Sequence, residues 1–329
     1  MILIAHARSE KGLAFMTIKG RPLRAVDVHK AAHLIPNRLI GPGGRVFDSV
    51  AACRKLLAAG EMTGTIVEKV DGRDAGEIVG IASAVFVKDE FLRAERERPM
   101  PGLSERILAG SLDGTSPVLS VEQTAGANKG PGLNVVTLLH QWDSDRLNAD
   151  QQREVRMHFM TTFLEDFRGY KLREILWEVP GEDELKWGLA GAGFVLRSDY
   201  AEWYENHSEP LPRRYQGGVT REEALAVESS VTAILFHYHP PQFAFTASQR
   251  QMLKIALRHQ TDAEIAAELN VSLSAVKKGW AAVFDRVSER NPGLLGDSSA
   301  DMRSSVSRGP QKRHRLLTYV RAHLEEVRP

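Results

Sequence analysis

The 329 residues predict two domains of ordinary size, or one large domain with an appendage, at about 150 residues per domain. A hydrophobic fraction of 43%, a charged fraction of 26% and a net charge of +1 are typical of a soluble globular chain, and no apolar run approaches the roughly 18 residues that span a bilayer. The single cysteine, Cys53, excludes an internal disulfide and a cysteine-based metal site, and its helical setting predicts a buried position. The first apolar run is too short for the core of a signal peptide, so we expect a cytoplasmic protein without membrane contact.

The first part of the chain mixes helix and strand signals. Apolar residues at helical spacing predict helices over 25–33 and 46–59, the second closed by Gly60. Two β-rich runs, TGTIVEKV and EIVGIASAVFV, flank the turn signal Asp71-Gly72. This pattern predicts a β-hairpin.

The next part alternates strand and helix. LNVVTLLHQW (133–142) predicts a strand, followed by a helix from near Asp145 to Arg168. LREILWEV predicts another strand, GEDELKWGLAGAGF a short helix and FVLRSDY a last strand. The order β-β-β-α-β-α-β indicates an α/β or α+β fold with a mixed sheet, in an N-terminal domain over 1–219.

A connecting segment follows this domain. Residues 220–238 predict a linker helix, which Pro240-Pro241 ends because proline cannot continue a helix. We place the linker and hinge at 220–241, an all-α domain at 242–290, and a Ser-rich flexible linker with a basic C-terminal helix at 291–329. From Gln242 onward there are 14 Lys or Arg against 9 Asp or Glu, while the preceding part has 29 against 33. This modest asymmetry is typical of a nucleic-acid-binding module joined to another domain.

The all-α domain begins with two short helices and a turn. The helices are predicted over 247–258 and 262–269. Asn270 suits a left-handed turn, Val271 is expected to enter the core, and Ser272 is a favourable N-cap for a third helix. The pattern predicts a helix-turn-helix.

The outward face of the third helix carries the DNA-binding candidates. Short polar and cationic side chains near its start suit entry into a major groove. We expect Ser274 and Lys277 to reach base edges, Lys278 to contact phosphate with Arg250 of the first helix, and Ser272 to cap the helix at the DNA surface.

Thr246 to Gly279 resembles the LuxR-type helix-turn-helix domain of bacterial transcription regulators. The matching residues are Glu264-Ile265-Ala266, Leu269, Val271-Ser272 and Val276-Lys277. His259, Ala275 and Gly279 stand where the family usually has Gly, Thr and His, and NPGLLGDSS replaces its usual fourth helix. The resemblance implies a bacterial transcription regulator that binds specific double-stranded DNA. Helices packed without a nucleic-acid role, or a sigma-factor-like relative, are the alternatives.

The order of elements over 62–200 is similar to the GNAT acyltransferase fold. That family holds the diphosphate of acyl-CoA on backbone N–H groups of a glycine-rich loop, at the start of the helix after its central strand. This chain has no glycine from Leu133 to Arg168, and Asp143, Asp145 and Asp150 stand at that position. We therefore expect no cofactor, no enzymatic activity beyond a degenerate acyl-CoA site, and a sensory or interaction role.

Two further segments carry weaker signals. AGANKGPG (125–132) predicts a mobile loop rather than a phosphate cradle, since it lacks the spacing of known phosphate-binding loops. His237 and His239 lack a nearby third ligand, so no metal site is predicted.

The leading prediction is a transcription regulator with double-stranded DNA as partner. RNA polymerase, a small-molecule or protein signal at the N-terminal domain, and a second copy of the chain in a homodimer are further candidate partners. The alternative is a GNAT-type acyltransferase fused to a DNA-targeting module.

Overall fold

The structure is a computed structural model that describes residues 17–36, 39–40, 46–71, 74–207, 213–227, 230–258, 261–296 and 308–329. Its strands are β1 (Ile18–Pro22), β2 (Leu39–Ile40), β3 (Val46–Phe47), β4 (Met62–Lys69), β5 (Ile78–Val87), β6 (Leu133–Trp142), β7 (Leu172–Pro180), β8 (Val195–Ser198) and β9 (Arg214–Thr220). The first apolar run of the chain, Gly72 of the predicted turn and most of the Ser-rich linker lie outside the described residues.

The helices of the N-terminal part are α1 (Ser49–Ala58), α2 (Asp89–Glu97), α3 (Leu103–Asp113), α4 (Val121–Lys129), α5 (Ala149–Phe167), α6 (Glu182–Gly191), α7 (Ala201–Asn206), α8 (Arg221–Ala226) and α9 (Ala233–Phe236). Those that follow are α10 (Ala247–Ala256), α11 (Asp262–Leu269), α12 (Leu273–Arg290) and α13 (Arg308–Ala322). In the described part of the chain, none of these helices is long and apolar enough to cross a membrane.

Seven strands form one mixed sheet in the order β1-β4-β5-β6-β7-β9-β8. β4 and β5 pair antiparallel, as the predicted hairpin requires, and β6 pairs parallel with β7. β9 then pairs antiparallel with β7. The mixed α/β architecture predicted for the N-terminal part is confirmed.

Helices cover both faces of this sheet. Helices α1 and α3 pack on one face, where Cys53 is fully buried and burial raises the pKa of its thiol to about 12. Helix α5 covers the other face through its buried apolar residues Val155, Phe159 and Phe167. It begins later than predicted because Asn148 caps it, accepting hydrogen bonds from the first turn.

The segment between β5 and β6 differs from the prediction. Helices α2, α3 and α4 occupy it, and α4 includes the first five of the eight residues of AGANKGPG, so the loop interpretation of 125–132 is wrong in part. Ser120 caps α4 in a capping box with Gln123, a local signal that the loop interpretation overlooked. Residues 25–33 form turns and a short 3₁₀ segment instead of a helix.

The predicted linker helix over 220–238 is interrupted. Helices α8 and α9 stand in its place, and α8 ends where Val227 adopts extended backbone. Leu235 and Phe236 are fully buried in the same cluster as Phe167 and Ile175. This segment therefore packs against the N-terminal sheet.

The C-terminal helices share a second apolar cluster. It contains Phe243 and Phe245, residues of α10, α11 and α12, and Leu316, Leu317 and Val320 of α13. Asn270 adopts the left-handed conformation with φ 53°, as predicted. The prediction that Val271 enters the core is wrong, since it is 44% exposed in the turn between α11 and α12.

Candidate active-site cleft and C-terminal helix surface

The parallel strands β6 and β7 separate at one end of the sheet. Their described register runs from the Leu133–Leu172 pair to the Thr137–Trp177 pair, while β6 continues to Trp142 and β7 to Pro180. On the other edge of β6, Ser83 pairs with Leu139 and Ala84 with Thr137, which leaves Leu138 as an extra residue. Such a bulge bends a strand and re-aims its side chains. The result is a wedge-shaped opening within the sheet.

Two cavities meet at this opening. The apolar chamber, of about 70 Å³, lies under α5 and is lined mainly by Phe159, Met160, Phe163, Phe167, Trp187 and Phe194. The polar cleft, of about 350 Å³, is lined by Ser104, Glu105, Gln152, Arg156, Glu184 and Arg214 among others. Thr137, His140 and Trp177 line both cavities. An apolar group in the chamber and a polar group in the cleft would therefore meet beside these three residues.

His140 lies at the junction within a ring of aromatic side chains. Its ring centroid is 5.2 Å from that of Phe159 and 5.5 Å from those of Trp142 and Trp177. Burial, and then the positive charge of Arg156, lower the pKa of His140 to about 4. The imidazole is therefore neutral at physiological pH and offers one hydrogen-bond donor and one acceptor.

Glu178 organises the inner wall of the polar cleft. Its carboxylate accepts hydrogen bonds from the backbone N–H of Gly102 (2.9 Å), from the Tyr200 hydroxyl (2.8 Å) and from Arg214 Nη1 (2.8 Å). Arg214 also binds both carboxylate oxygens of Glu105, at 2.6 and 2.9 Å. Burial, and then Glu178, raise the pKa of the Tyr200 phenol. This network is internally satisfied and fixes the start of α3 against β7.

Arg156 and Glu184 form a looser pair at the polar cleft. Arg156 Nη2 lies 3.4 Å from Glu184 Oε1, and the Arg156 guanidinium lies 4.8 Å from the centre of the Trp142 ring. Among the described residues, Arg156 Nε and Glu184 Oε2 are buried without a hydrogen-bond partner. Burial raises the pKa of Glu184, and the charge of Arg156 opposes that shift. Glu184 thus combines a raised pKa, a cleft position and an unpartnered oxygen, which is the profile of a proton-transfer group.

The start of α5 does not fit the diphosphate of CoA. Asn148 Oδ1 already accepts from the N–H groups of Asp150 and Gln151, each at 3.0 Å. The Asp150 carboxylate also lies at this helix start, paired with Arg153 at 2.8 Å. First-turn N–H groups that would hold a phosphate are thus engaged by the cap, and the adjacent carboxylates would repel it.

The predicted DNA-binding residues lie at α10 and α12. Ser272 caps α12 as predicted, since its Oγ accepts from the N–H of Ala275 at 3.1 Å. Ser274, Lys277 and Lys278 are exposed on the N-terminal half of α12. Arg250 is half-buried on α10, and its Nη1 donates to the carbonyl oxygen of Phe245 at 2.6 Å. The three α12 side chains thus share one exposed surface, while Arg250 is engaged with the chain preceding α10.

Sequence reasoning did not single out His140, Arg156 or Glu184. Arg156 directly follows Val155 in the apolar stripe of α5, and a cation at the edge of such a stripe was the available signal. Glu184 lies among the acids in the first turn of α6, where a sequence pattern indicates only a favourable helix start. Their proximity arises because α5 packs on β1 and β4 while α6 packs on β7 and β9, an arrangement that local patterns do not specify.

No protein-family model and no curated protein sequence matches the chain. Among solved structures, the chain is similar to FeeM, an N-acyl amino acid synthase from uncultured soil microbes, with 13% identity and a TM-score of 0.37 over 68% of this chain and 98% of that one. It is also similar to Arabidopsis thaliana NAA60 in complex with acetyl-CoA, with 11% identity and a TM-score of 0.37 over 63% and 99% of the two chains. A third is the spermidine/spermine N-acetyltransferase SpeG from Vibrio cholerae, with 12% identity and a TM-score of 0.34 over 64% and 96%.

These likenesses correct one expectation from the sequence. The prediction that the chain is not an enzyme is contradicted, because these similar structures include an N-acyl amino acid synthase and an N-acetyltransferase.

Proposed function

We propose that the N-terminal domain transfers an acyl group to an amine. The observation that carries this proposal is the wedge between β6 and β7, where the apolar chamber and the polar cleft share Thr137, His140 and Trp177. An acyl chain in the chamber would present its carbonyl carbon at the junction, and an amine in the cleft would approach it there. Such positioning alone supplies a large part of the rate enhancement in group transfer.

The chemistry requires proton removal and stabilisation of an oxyanion. The amine nitrogen attacks the carbonyl carbon of a thioester, a C–N bond forms, and the C–S bond breaks. Of the two protons that the ammonium group loses, we assign one to the carboxylate of Glu184 and one to the leaving thiolate. Peptide N–H groups on the edge of β6 that faces the wedge would stabilise the developing oxyanion, and neutral His140 would orient the attacking nitrogen.

The size of the apolar chamber limits the acyl group. A cavity of about 150 Å³ holds benzene, whereas the chamber measures about 70 Å³. We therefore expect acyl groups of roughly two to four carbons, scaled from that comparison. Because the start of α5 does not fit a diphosphate, the donor should be used equally well without the nucleotide part of CoA.

Thiol release from acyl thioesters tests this proposal. The full chain would be incubated with acetyl, butyryl and octanoyl thioesters of N-acetylcysteamine and with a panel of amines. We expect amine-dependent release that is fastest for the short chains and that falls about 10²–10⁴-fold in Glu184→Gln, the usual contribution of a general base. Glu182→Gln, an exposed acid on the same helix, is the matched control. Thiol release that no amine stimulates would refute the proposal.

We further propose that the C-terminal helices bind double-stranded DNA, as the LuxR-type resemblance implies. The observation that favours this second function is the exposed surface of α12 that carries Ser274, Lys277 and Lys278. Lysine near the start of a recognition helix can donate to guanine O6 or N7, which gives roughly 1–3 kcal/mol of discrimination. The chain would then act as a bacterial transcription regulator with a catalytic domain attached.

Genome-wide mapping of bound DNA, followed by competition binding at fixed salt, tests this function. We expect Lys277→Ala to weaken binding to the mapped site more than to random DNA, and Lys278→Ala to weaken both about equally. The double variant should flatten the salt dependence by roughly 0.9 per lost contact. Lys129→Ala, an exposed lysine on α4, is the control. An unchanged salt dependence in the double variant would argue against this surface.

A further inference from the structure

Arg156 and Glu184 face each other from different helices without forming a tight ion pair. Their 3.4 Å separation exceeds the 2.7–2.9 Å usual for a charged N–H···O hydrogen bond. Arg214 and Glu105, in the same cleft, achieve two contacts at 2.6 and 2.9 Å. The difference indicates that Arg156 and Glu184 are positioned beside each other but not satisfied by each other.

Both side chains are largely removed from solvent. They are 23% and 20% exposed, and each leaves one buried polar atom without a partner among the described residues. Buried charged groups of this kind are usually paired, or are completed by a ligand. Because neither side chain has all its hydrogen bonds, the pair can bind a ligand that carries one positive and one negative group.

Each of the two groups also has a defined place in the fold. The guanidinium of Arg156 lies over the Trp142 ring at 4.8 Å, and Glu184 lies in the first turn of α6. The other arginine of the cleft, Arg214, is fully engaged with Glu105 and Glu178. Arg156 is therefore the cleft cation with donor capacity for a carboxylate.

We infer that the amine acceptor is an apolar α-amino acid, whose carboxylate binds Arg156 and whose ammonium group binds Glu184. This inference rests on the proposed function, since it names the acceptor for that reaction. A guanidinium presents two parallel N–H donors that match a carboxylate, and a carboxylate accepts from an ammonium group. A zwitterion adds no net charge to a pair that is itself neutral.

The remaining walls of the polar cleft select the side chain. Trp142, Trp177, Leu108, Leu139 and Val179 also line it. Since a cavity of about 150 Å³ holds benzene, the cleft of about 350 Å³ has room for an aromatic ring together with the two charged groups. Phenylalanine and leucine are the simplest probes.

Calorimetric titration of the full chain with matched probes tests the inference. The probes are L-phenylalanine, 2-phenylethylamine, which lacks the carboxylate, and 3-phenylpropanoate, which lacks the ammonium group; L-leucine serves as a second amino acid. We expect phenylalanine to bind at least about tenfold more tightly than either analogue, a ratio equal to 1.4 kcal/mol. Arg156→Gln should abolish the preference over 2-phenylethylamine. Glu184→Gln should do the same for 3-phenylpropanoate.

Arg153→Gln, whose exposed partner is Asp150 on the same helix, is the control and should retain the wild-type preference. Equal affinity for the three phenyl probes, or failure of both amino acids to bind, would overturn the inference. Turnover separates it from the proposed function. If 2-phenylethylamine is acylated as fast as phenylalanine, acyl transfer is supported and the amino-acid acceptor is refuted. If phenylalanine binds tightly but is not acylated, the amino-acid site is supported and acyl transfer is refuted.

Discussion

At the scale of single residues, two opposing effects determine the pKa of Glu184. Burial raises its pKa, and the positive charge of Arg156 lowers it. As a general base it acts in the charged form, so kcat/KM should rise with pH as Glu184 loses its proton. Because Arg156 favours the charged carboxylate, its removal should raise the pKa of Glu184 further.

We therefore predict that Arg156→Gln moves the acidic limb of the pH–rate profile to higher pH. The profile of kcat/KM between pH 5 and 9, measured with 2-phenylethylamine as acceptor, checks this because that amine lacks the carboxylate proposed to need Arg156. Arg153→Gln should keep the wild-type limb. If the acidic limb of the pH–rate profile does not move in Arg156→Gln, Glu184 is not the general base.

Gly188 determines the position of Trp177, a wall of both cavities. A Cβ added to this α6 glycine would overlap the Trp177 ring, while a Cβ at Gly191 would lie 3.8 Å from Trp187 in ordinary contact. Alanine at either site improves helix propensity by up to roughly 1 kcal/mol. At Gly188 overpacking should outweigh that gain, at about 1–3 kcal/mol.

We predict that Gly188→Ala lowers both the melting temperature and the rate of acyl transfer. Gly191→Ala should keep the wild-type rate and melt at the same temperature or slightly higher. Thermal unfolding and thiol release measured on both variants check this. Equal behaviour of the two alanine variants would show that Trp177 relocates freely.

At the scale of elements, the start of α12 depends on one cap. The Ser272 hydroxyl accepts from the N–H of Ala275, whereas Ser274, two residues further along, is exposed. We predict that Ser272→Ala lowers the free energy of unfolding by about 1 kcal/mol, the usual value of an N-cap. Ser274→Ala should change it by less than about 0.5 kcal/mol. Chemical denaturation of both variants measures the difference, and equal losses would contradict the cap assignment.

Elements with regularly spaced apolar residues or a clear turn signal were predictable from sequence. β4, β5, β6 and β7 are runs of apolar and β-branched residues, and α5 and α6 carry regular apolar spacing with helix-starting signals. Helix α11 matches the prediction over 262–269 because Thr261 and Glu264 form a capping box at its start and Asn270 ends it.

Tertiary packing decided the elements and site residues that sequence did not predict. The apolar pattern over 220–238 is continuous, yet the chain leaves the helix after α8 so that Leu235 and Phe236 reach the core beneath the sheet. The Arg156–Glu184 pair joins residues 28 positions apart on two helices. The wedge depends on where β6 and β7 cease to pair, which no local period encodes.

At the scale of the whole molecule, the two apolar clusters are joined by the segment after α13. Arg328 donates from Nε to the Arg168 carbonyl oxygen at 3.0 Å and from Nη2 to that of Glu165 at 2.6 Å. Its guanidinium also lies 4.7 Å from the centre of the Tyr170 ring. Gly169, with φ 86°, lies so close to Leu324 that a Cβ would overlap that backbone. The end of α5, the helix that lines both cavities, is thus held by the segment after α13.

We predict that Arg328→Ala uncouples the unfolding of the two clusters. A cation at the carbonyl end of a helix satisfies orphan acceptors and complements the helix dipole, and hydrogen bonds from charged donors contribute about 1.5–3 kcal/mol each. Calorimetry should show one transition for the wild-type chain and two for the variant. Arg153→Ala, which loses only an exposed ion pair, should keep one transition because such pairs contribute about 1 kcal/mol or less. A single transition in Arg328→Ala would mean that the buried contacts around Gly169 and Leu324 are sufficient to join the clusters.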